Sequence, residues 1–256
     1  AKKSSDMILQ EYLGEFMIRS VQASSFFLDA PEFPSIGDVA PDTEPEFHLG
    51  LIDGAEYILG RIVKADGRIS RISRGWNQLF SEQEECIPKL ALTHNYGKSI
   101  LAYPDAGYYR IRIGPYLLFI YVMPLNYVPA WSHGHADVGG FLLYWGNQLV
   151  LIDSGRSTYL NNEWGQYGRS VRSHNSISID NKEPCVIHGL NAYPEFMEPR
   201  YFPSPPEVIV EKESNENTIV TVKYYGFQRV HGLGDVTRKF ICEKGRILIQ
   251  DQINGT

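Results

Sequence analysis

Cysteine is scarce: Cys86, Cys185 and Cys242 are an odd number at wide spacings, and none belongs to a Cys-x-x-Cys pair. That excludes a disulfide framework and argues against a thiolate zinc site. Long apolar runs are also missing. The best one, Tyr116 to Met123, has eight residues and stops at Pro124, whereas a membrane-spanning helix needs about 20. Positive charge is in short supply, with 24 Lys and Arg against 30 Asp and Glu and a formal charge of −6. Nucleic acid is therefore a poor partner, because phosphate binding needs a basic surface. Glycine and proline follow no period, which excludes a collagen-like chain. The first residues, Ala-Lys-Lys-Ser-Ser-Asp, lack both an initiator Met and the form of a signal peptide. The last, Asp-Gln-Ile-Asn-Gly-Thr, read as a strand entering a turn, so a piece of a longer protein is expected.

What is present is enough for a folded core. Hydrophobic residues make up 43% of 256 positions, enough for one large domain or two small ones. Sixteen tyrosines lean the composition toward β-structure and polar-ligand surfaces.

The hydrophobic period changes along the chain. After Ser4-Ser5-Asp6, a plausible N-cap, come Ile8, Leu9, Leu13, Phe16, Met17 and Val21 at helical spacing. A proline-rich acidic loop runs from Asp29 to Pro45, and further helix is expected from about Glu46 to Val63 and between Ile69 and Phe80. Past Gly97, short β-rich segments take over: Ser99 to Tyr103, Tyr108 to Ile113, Tyr116 to Val122, Phe141 to Trp145 and Gln148 to Ile152. The last two are joined by Gly146-Asn147, a hairpin signal with its turn residues in the less usual order. Ser176 to Ile179, Val208 to Glu211, Ile219 to Tyr225, Val236 to Cys242 and Arg246 to Asp251 continue the theme. Helices first and strands second predict an α+β chain, helical over 1–85 and an antiparallel β-sandwich over 86–256.

Three places could carry chemistry. In Trp131-Ser-His133-Gly-His135-Ala-Asp137 an extended backbone would present both imidazoles to one side. Such a pair suits a divalent metal, and core hydrogen bonding is about an equal alternative. Eighteen residues after His135 comes Asp153, followed by Ser154 and Gly155, at the end of Leu149 to Ile152, which reads as a buried apolar strand. A buried acid there must be paired or bound to a cation, unless it simply caps its own turn. Ser173-His174-Asn175 opens another predicted strand. Two His and one Asp from neighbouring strand ends form a set that zinc accepts. Between the second and third places, a basic loop is expected to hold Arg156, Tyr159, Trp164, Tyr167, Arg169 and Arg172. Guanidinium forks suit carboxylates and sulfates, and aromatic faces suit sugar rings.

These motifs resemble, in order and spacing, the heparinase II/III-like polysaccharide lyases: Ser132-His-Gly-His-Ala-Asp137, Leu151-Ile-Asp-Ser-Gly155 with Tyr159, then Arg169-Ser-Val-Arg-Ser-His-Asn175. Ile36-Gly-Asp-Val-Ala-Pro-Asp42 and Pro104-Asp-Ala-Gly-Tyr-Tyr109 look like that family's connecting segments. The resemblance implies the C-terminal part of an (α/α) toroid followed by the sandwich, with a cleft between them for an acidic polysaccharide. It implies a structural Zn2+ (or another divalent metal) on His135, Asp153 and His174, and His133 as the catalytic histidine. Arg156, Tyr159 and Arg169 become expected substrate contacts, and the location expected is periplasmic or secreted. The reaction implied is β-elimination next to a uronic acid carboxylate. The family's proton-donating Tyr and its Asn-His or Glu pair belong to the toroid, and no motif for them is visible here. Two alternatives stand beside this reading. One is a non-catalytic carbohydrate-binding or surface-polysaccharide-assembly protein of the same fold. The other is a cupin-like metal enzyme, which would need neither the helical start nor the Arg-Tyr stretch.

Overall fold

A computed structural model of the chain describes residues 98–122, 134–160, 162–185, 204–214 and 216–255, with isolated positions between 12 and 36. The chain divides into two compact units, Ala1–Phe33 with Asp42–Gly97 and Pro34–Pro41 with Lys98–Thr256. In the first unit, Tyr12, Glu15, Phe16, Arg19 and Ala23 are helical, and Arg19 faces Glu15 one turn away at 3.7 Å. Phe16, counted above on the apolar stripe, is largely exposed. The helices expected over 46–63 and 69–80 lie outside the described residues, as does the toroid they would belong to.

Among its described residues the second unit has two antiparallel sheets, each a simple meander. The first contains β1 (Ile100–Tyr103), β2 (Tyr108–Ile113), β3 (Tyr116–Tyr121), β4 (Gly140–Trp145) and β5 (Gln148–Leu151) in that order. The second contains β6 (Glu207–Ser214), β7 (Asn217–Tyr224), β8 (Leu233–Glu243) and β9 (Arg246–Gly255). Short turns join β2 to β3, β4 to β5, β6 to β7 and β8 to β9, as antiparallel neighbours allow, whereas the β3–β4 connection spans residues 122–139. Gly146-Asn147 joins β4 to β5, with Gly146 at φ +59° and Asn147 at negative φ. That combination is a type II′ turn, which places Gly first and so accounts for the residue order.

The core lies between the sheets. Tyr109, Ile111, Leu118, Ile120 and Phe141 of the first pack with Val220, Val222, Tyr224, Val236 and Phe240 of the second. Phe141 and Phe240 meet edge to face at 5.4 Å. On β7 and β8 these residues alternate with more exposed ones, the mark of a sheet with one buried face. Each fully buried large side chain contributes about 1.5–3 kcal/mol.

Three expectations need correction. Leu149 to Ile152 is not a buried strand: β5 is the edge of its sheet, and Val150, Leu151 and Ile152 are exposed. Ser176 to Ile179 is not a strand either. Asp180 and Asn181 take positive φ and turn the chain back, leaving a single bridge between Ile179 and Lys182. The basic stretch contains a helix, α1 (Glu163–Arg169), whose first turn is capped by the Asn162 side chain accepting from Gly165 N at 2.9 Å.

Candidate functional site

Four segments meet beyond the ends of the first sheet's strands: the end of β3, residues 134–139 before β4, the turn after β5, and the turn after α1. Their backbones are sewn together by polar contacts. Arg169 Nε donates to Gly134 O at 3.1 Å, and Ala136 N donates to Arg169 O at 2.9 Å. Ser154 Oγ donates to Ser173 O at 2.9 Å, joining the second turn to the third. Asn175 Nδ2 reaches Phe141 O at 2.9 Å and Ile152 O at 2.7 Å, while Ser176 Oγ holds Val138 O at 2.7 Å. These bonds explain why 175–179 forms no strand: its side chains satisfy neighbouring carbonyls that a strand partner would otherwise claim.

Inside this frame runs a chain of buried polar groups. Asp153 Oδ1 accepts from Gly155 N at 2.8 Å, shaping its own turn. Its Oδ2 accepts from the Tyr121 hydroxyl and stands 2.7 Å from His174 Nδ1. On the other side of that ring, His174 Nε2 lies 3.2 Å from His135 Nδ1. Gly140 makes room for this arrangement. It pairs with Tyr121 across β3 and β4, and a Cβ there would come within 2.6 Å of the phenol ring.

Burial sets the electrostatics. It lifts the Tyr121 hydroxyl well above its ordinary range, and the negative charges of Asp153 and Asp137 push it further. Burial pulls His174 down, but the hydrogen bond and charge of Asp153, helped by Asp137 and Glu183, outweigh this and raise it. Asp137 is raised by burial, with the two imidazoles opposing. Its Oδ1 has no hydrogen-bond partner among the described residues.

The expected metal ligands, His135, Asp153 and His174, are thus brought into one connected cluster. Two ligands of a tetrahedral zinc ion stand about 3.3 Å apart, given bonds of about 2.0–2.1 Å. The imidazole pair, at 3.2 Å, fits that spacing. Two imidazoles with two buried carboxylates also suit zinc in donor type. Among the described residues, however, no three such groups converge on one point as a closed ion site. Asp153 stands behind His174, where a carboxylate orients a ligating histidine.

The other expected site residues fall differently. His133 lies outside the described residues. Arg156 is buried, with Nε on Thr158 O at 3.0 Å and its guanidinium 3.9 Å over the Tyr159 ring. Arg169 is buried against Gly134. Tyr159 is exposed at the surface, as are Trp164 and Tyr167. Sequence reasoning missed Tyr121, which sits in an apolar run and reads as core. It also passed over Asn175 and Arg238, whose partners are distant in the chain.

The family model for the C-terminal domain of heparinase II/III-like proteins matches residues 96–256, more than half of the chain. The chain belongs to the heparinase II/III-like family. Among solved structures it is similar to heparan sulfate lyase HepC from Pedobacter heparinus, with a TM-score of 0.56 and 17% identity over 91% of this chain. It is also similar to the heparinase III-BT4657 gene product, with a TM-score of 0.54 and 13% identity over 90%. Each likeness is one of fold, and the chain spans 31% of the length of either protein. No curated protein matches the sequence. The meander order of both sheets among the described residues also differs from the Greek-key jelly roll of a cupin-like enzyme.

Proposed function

We propose that this heparinase II/III-like domain forms one wall of the active site of a polysaccharide lyase, which cleaves a uronic-acid-containing polymer by β-elimination. The observation that carries the reading is the buried chain from Tyr121 through Asp153 and His174 to His135, held by three separate turns. It locks the backbone that bears His135, and His133 stands two residues upstream.

In this reading His135 and His174 would hold a zinc-type ion, with Asp153 behind His174 as its orienting carboxylate. The ion supplies a fixed positive charge that stiffens the cleft wall. The protein groups do the rest. Asp153 orients His174 through its Nδ1–H, and Tyr121 fills the remaining position on that oxygen. His133 is the imidazole that meets the substrate, neutralising the uronate carboxylate or taking the proton beside it. Such a proton becomes removable only once the adjacent charge is balanced. Arg156 and Arg169 support the loop, and Tyr159 remains the exposed candidate for sugar contact. The proton donor to the leaving oxygen comes from the toroid. An acidic polysaccharide in a secreted or periplasmic setting is the fitting partner. No helix among the described residues is long and apolar enough to cross a membrane.

The test is formation of unsaturated uronide, read by ultraviolet absorbance, on a panel of heparan sulfate, chondroitin, alginate and bacterial uronate polymers. Joined to the toroid of its parent, the chain yields product and His133→Ala abolishes it; alone, it yields little or none. Binding of the polymers without any product from the joined protein would favour the non-catalytic alternative.

A further inference from the structure

The turns bearing the imidazole pair are also held from the second sheet. Arg238 on β8 is buried, and its guanidinium grips both turns at once. Nη1 donates to Gly139 O at 2.9 Å and to Asn175 O at 2.7 Å. Nε and Nη2 donate to the two carboxylate oxygens of Asp251 on β9, at 2.7 and 2.9 Å. Gly139 lies four residues after His135, and Asn175 follows His174 directly.

We infer that Arg238 is a positioning residue for the His135–His174 pair, with Asp251 as its anchor. The two hydrogens on Nη1 diverge by about 120°, so two oxygens at these distances are pinned roughly 5 Å apart. One rigid fork therefore fixes the separation of the two histidine-bearing backbones. The Asp251 carboxylate prevents the fork from rotating, since a bidentate pair has only one planar arrangement. Water has little access, because the Arg238 side chain is only 6% exposed. Lysine cannot substitute: a single ammonium on a flexible stem cannot span both carbonyls and hold a bidentate carboxylate together. Val236, two residues away on the same strand, is as deeply buried but contributes only to the apolar core, so it serves as the control.

The experiment compares the full chain with its Arg238→Lys, Asp251→Asn and Val236→Ala variants. Two readouts are used: the imidazole nitrogen resonances of His135 and His174, and Zn2+ affinity by chelator competition. The affinity readout rests on the zinc-type reading above; the resonances do not. Arg238→Lys is expected to displace both sets of resonances and weaken Zn2+ binding by roughly tenfold or more, the scale of outer-shell changes at metal sites. Asp251→Asn should move the same signals in the same direction by less. Val236→Ala should lower stability while leaving the signals and affinity at wild-type values. Unmoved resonances in Arg238→Lys, or equal displacement in Val236→Ala, would overturn the proposal. If Arg238→Lys does not fold, unmoved resonances in Asp251→Asn overturn it instead. A wild-type chain that takes up no Zn2+ sinks the metal reading, and the resonances still decide the role of Arg238.

Discussion

Along β7 buried and half-buried residues alternate one for one, whereas β3 is buried at five of its six positions. The contrast separates a sheet with one buried face from a sheet with two. The second sheet covers the core with one face and turns Thr237, Lys239 and Gln250 outward on the other. The first covers the same core through Leu118 and Ile120, while Leu117, Phe119 and Tyr121 point the opposite way and are equally buried. That second buried face delivers a hydroxyl to Asp153. A continuous apolar run in an antiparallel protein thus marks the sheet whose far side is also in use.

The largest effect tests what the sheets share. Phe240→Ala should cost about 3–5 kcal/mol in urea unfolding, because it empties the layer between them. Asp153→Asn tests the polar chain that the first sheet's second buried face reaches. It leaves His174 and Tyr121 facing a weaker acceptor, and about 3 kcal/mol should be lost, as when a buried pair is broken. The same variant should flatten a pH dependence of the metal-free protein. His174 is raised above its ordinary 6.5 by the folded state. Its contribution is therefore complete below that value and lost as pH climbs through the raised one. Urea midpoints measured across that window in the presence of a chelator give the comparison.

A tyrosine from each sheet sharpens the contrast further. The Tyr121 hydroxyl serves Asp153, so Tyr121→Phe should cost about 1–3 kcal/mol. The equally buried Tyr224 hydroxyl on β7 has no partner among the described residues, so Tyr224→Phe should be neutral or stabilising by up to about 1 kcal/mol. Equal losses in the two variants would erase the distinction. The smallest effect belongs to the edge: Val150→Thr on exposed β5 should stay within about 0.5 kcal/mol.

Most strands of both sheets were readable because alternation and turn residues are local signals. Gly146-Asn147 even named its hairpin, lacking only the turn type. Helix α1 escaped because Gly165 and Gly168 dilute a pattern only seven residues long, although Asn162 offered a cap. Leu149 to Ile152 misled in the other direction: apolar composition cannot tell an edge strand from a central one. At the site, the motif residues His135, Asp153 and His174 stood out by type. Their connection through Tyr121 did not, because nothing local distinguishes the last tyrosine of an apolar run from its neighbours. Arg238 was invisible for a related reason, since it acts on carbonyls that lie 99 and 63 residues away in sequence.

One oxygen of Asp153 shapes a turn while the other gathers a phenol and an imidazole. Selection therefore cannot tune the fold at this position without touching whatever the cluster does. A screen of variants for heat resistance and a screen for function should single out the same handful of positions around it, where in most proteins such screens diverge.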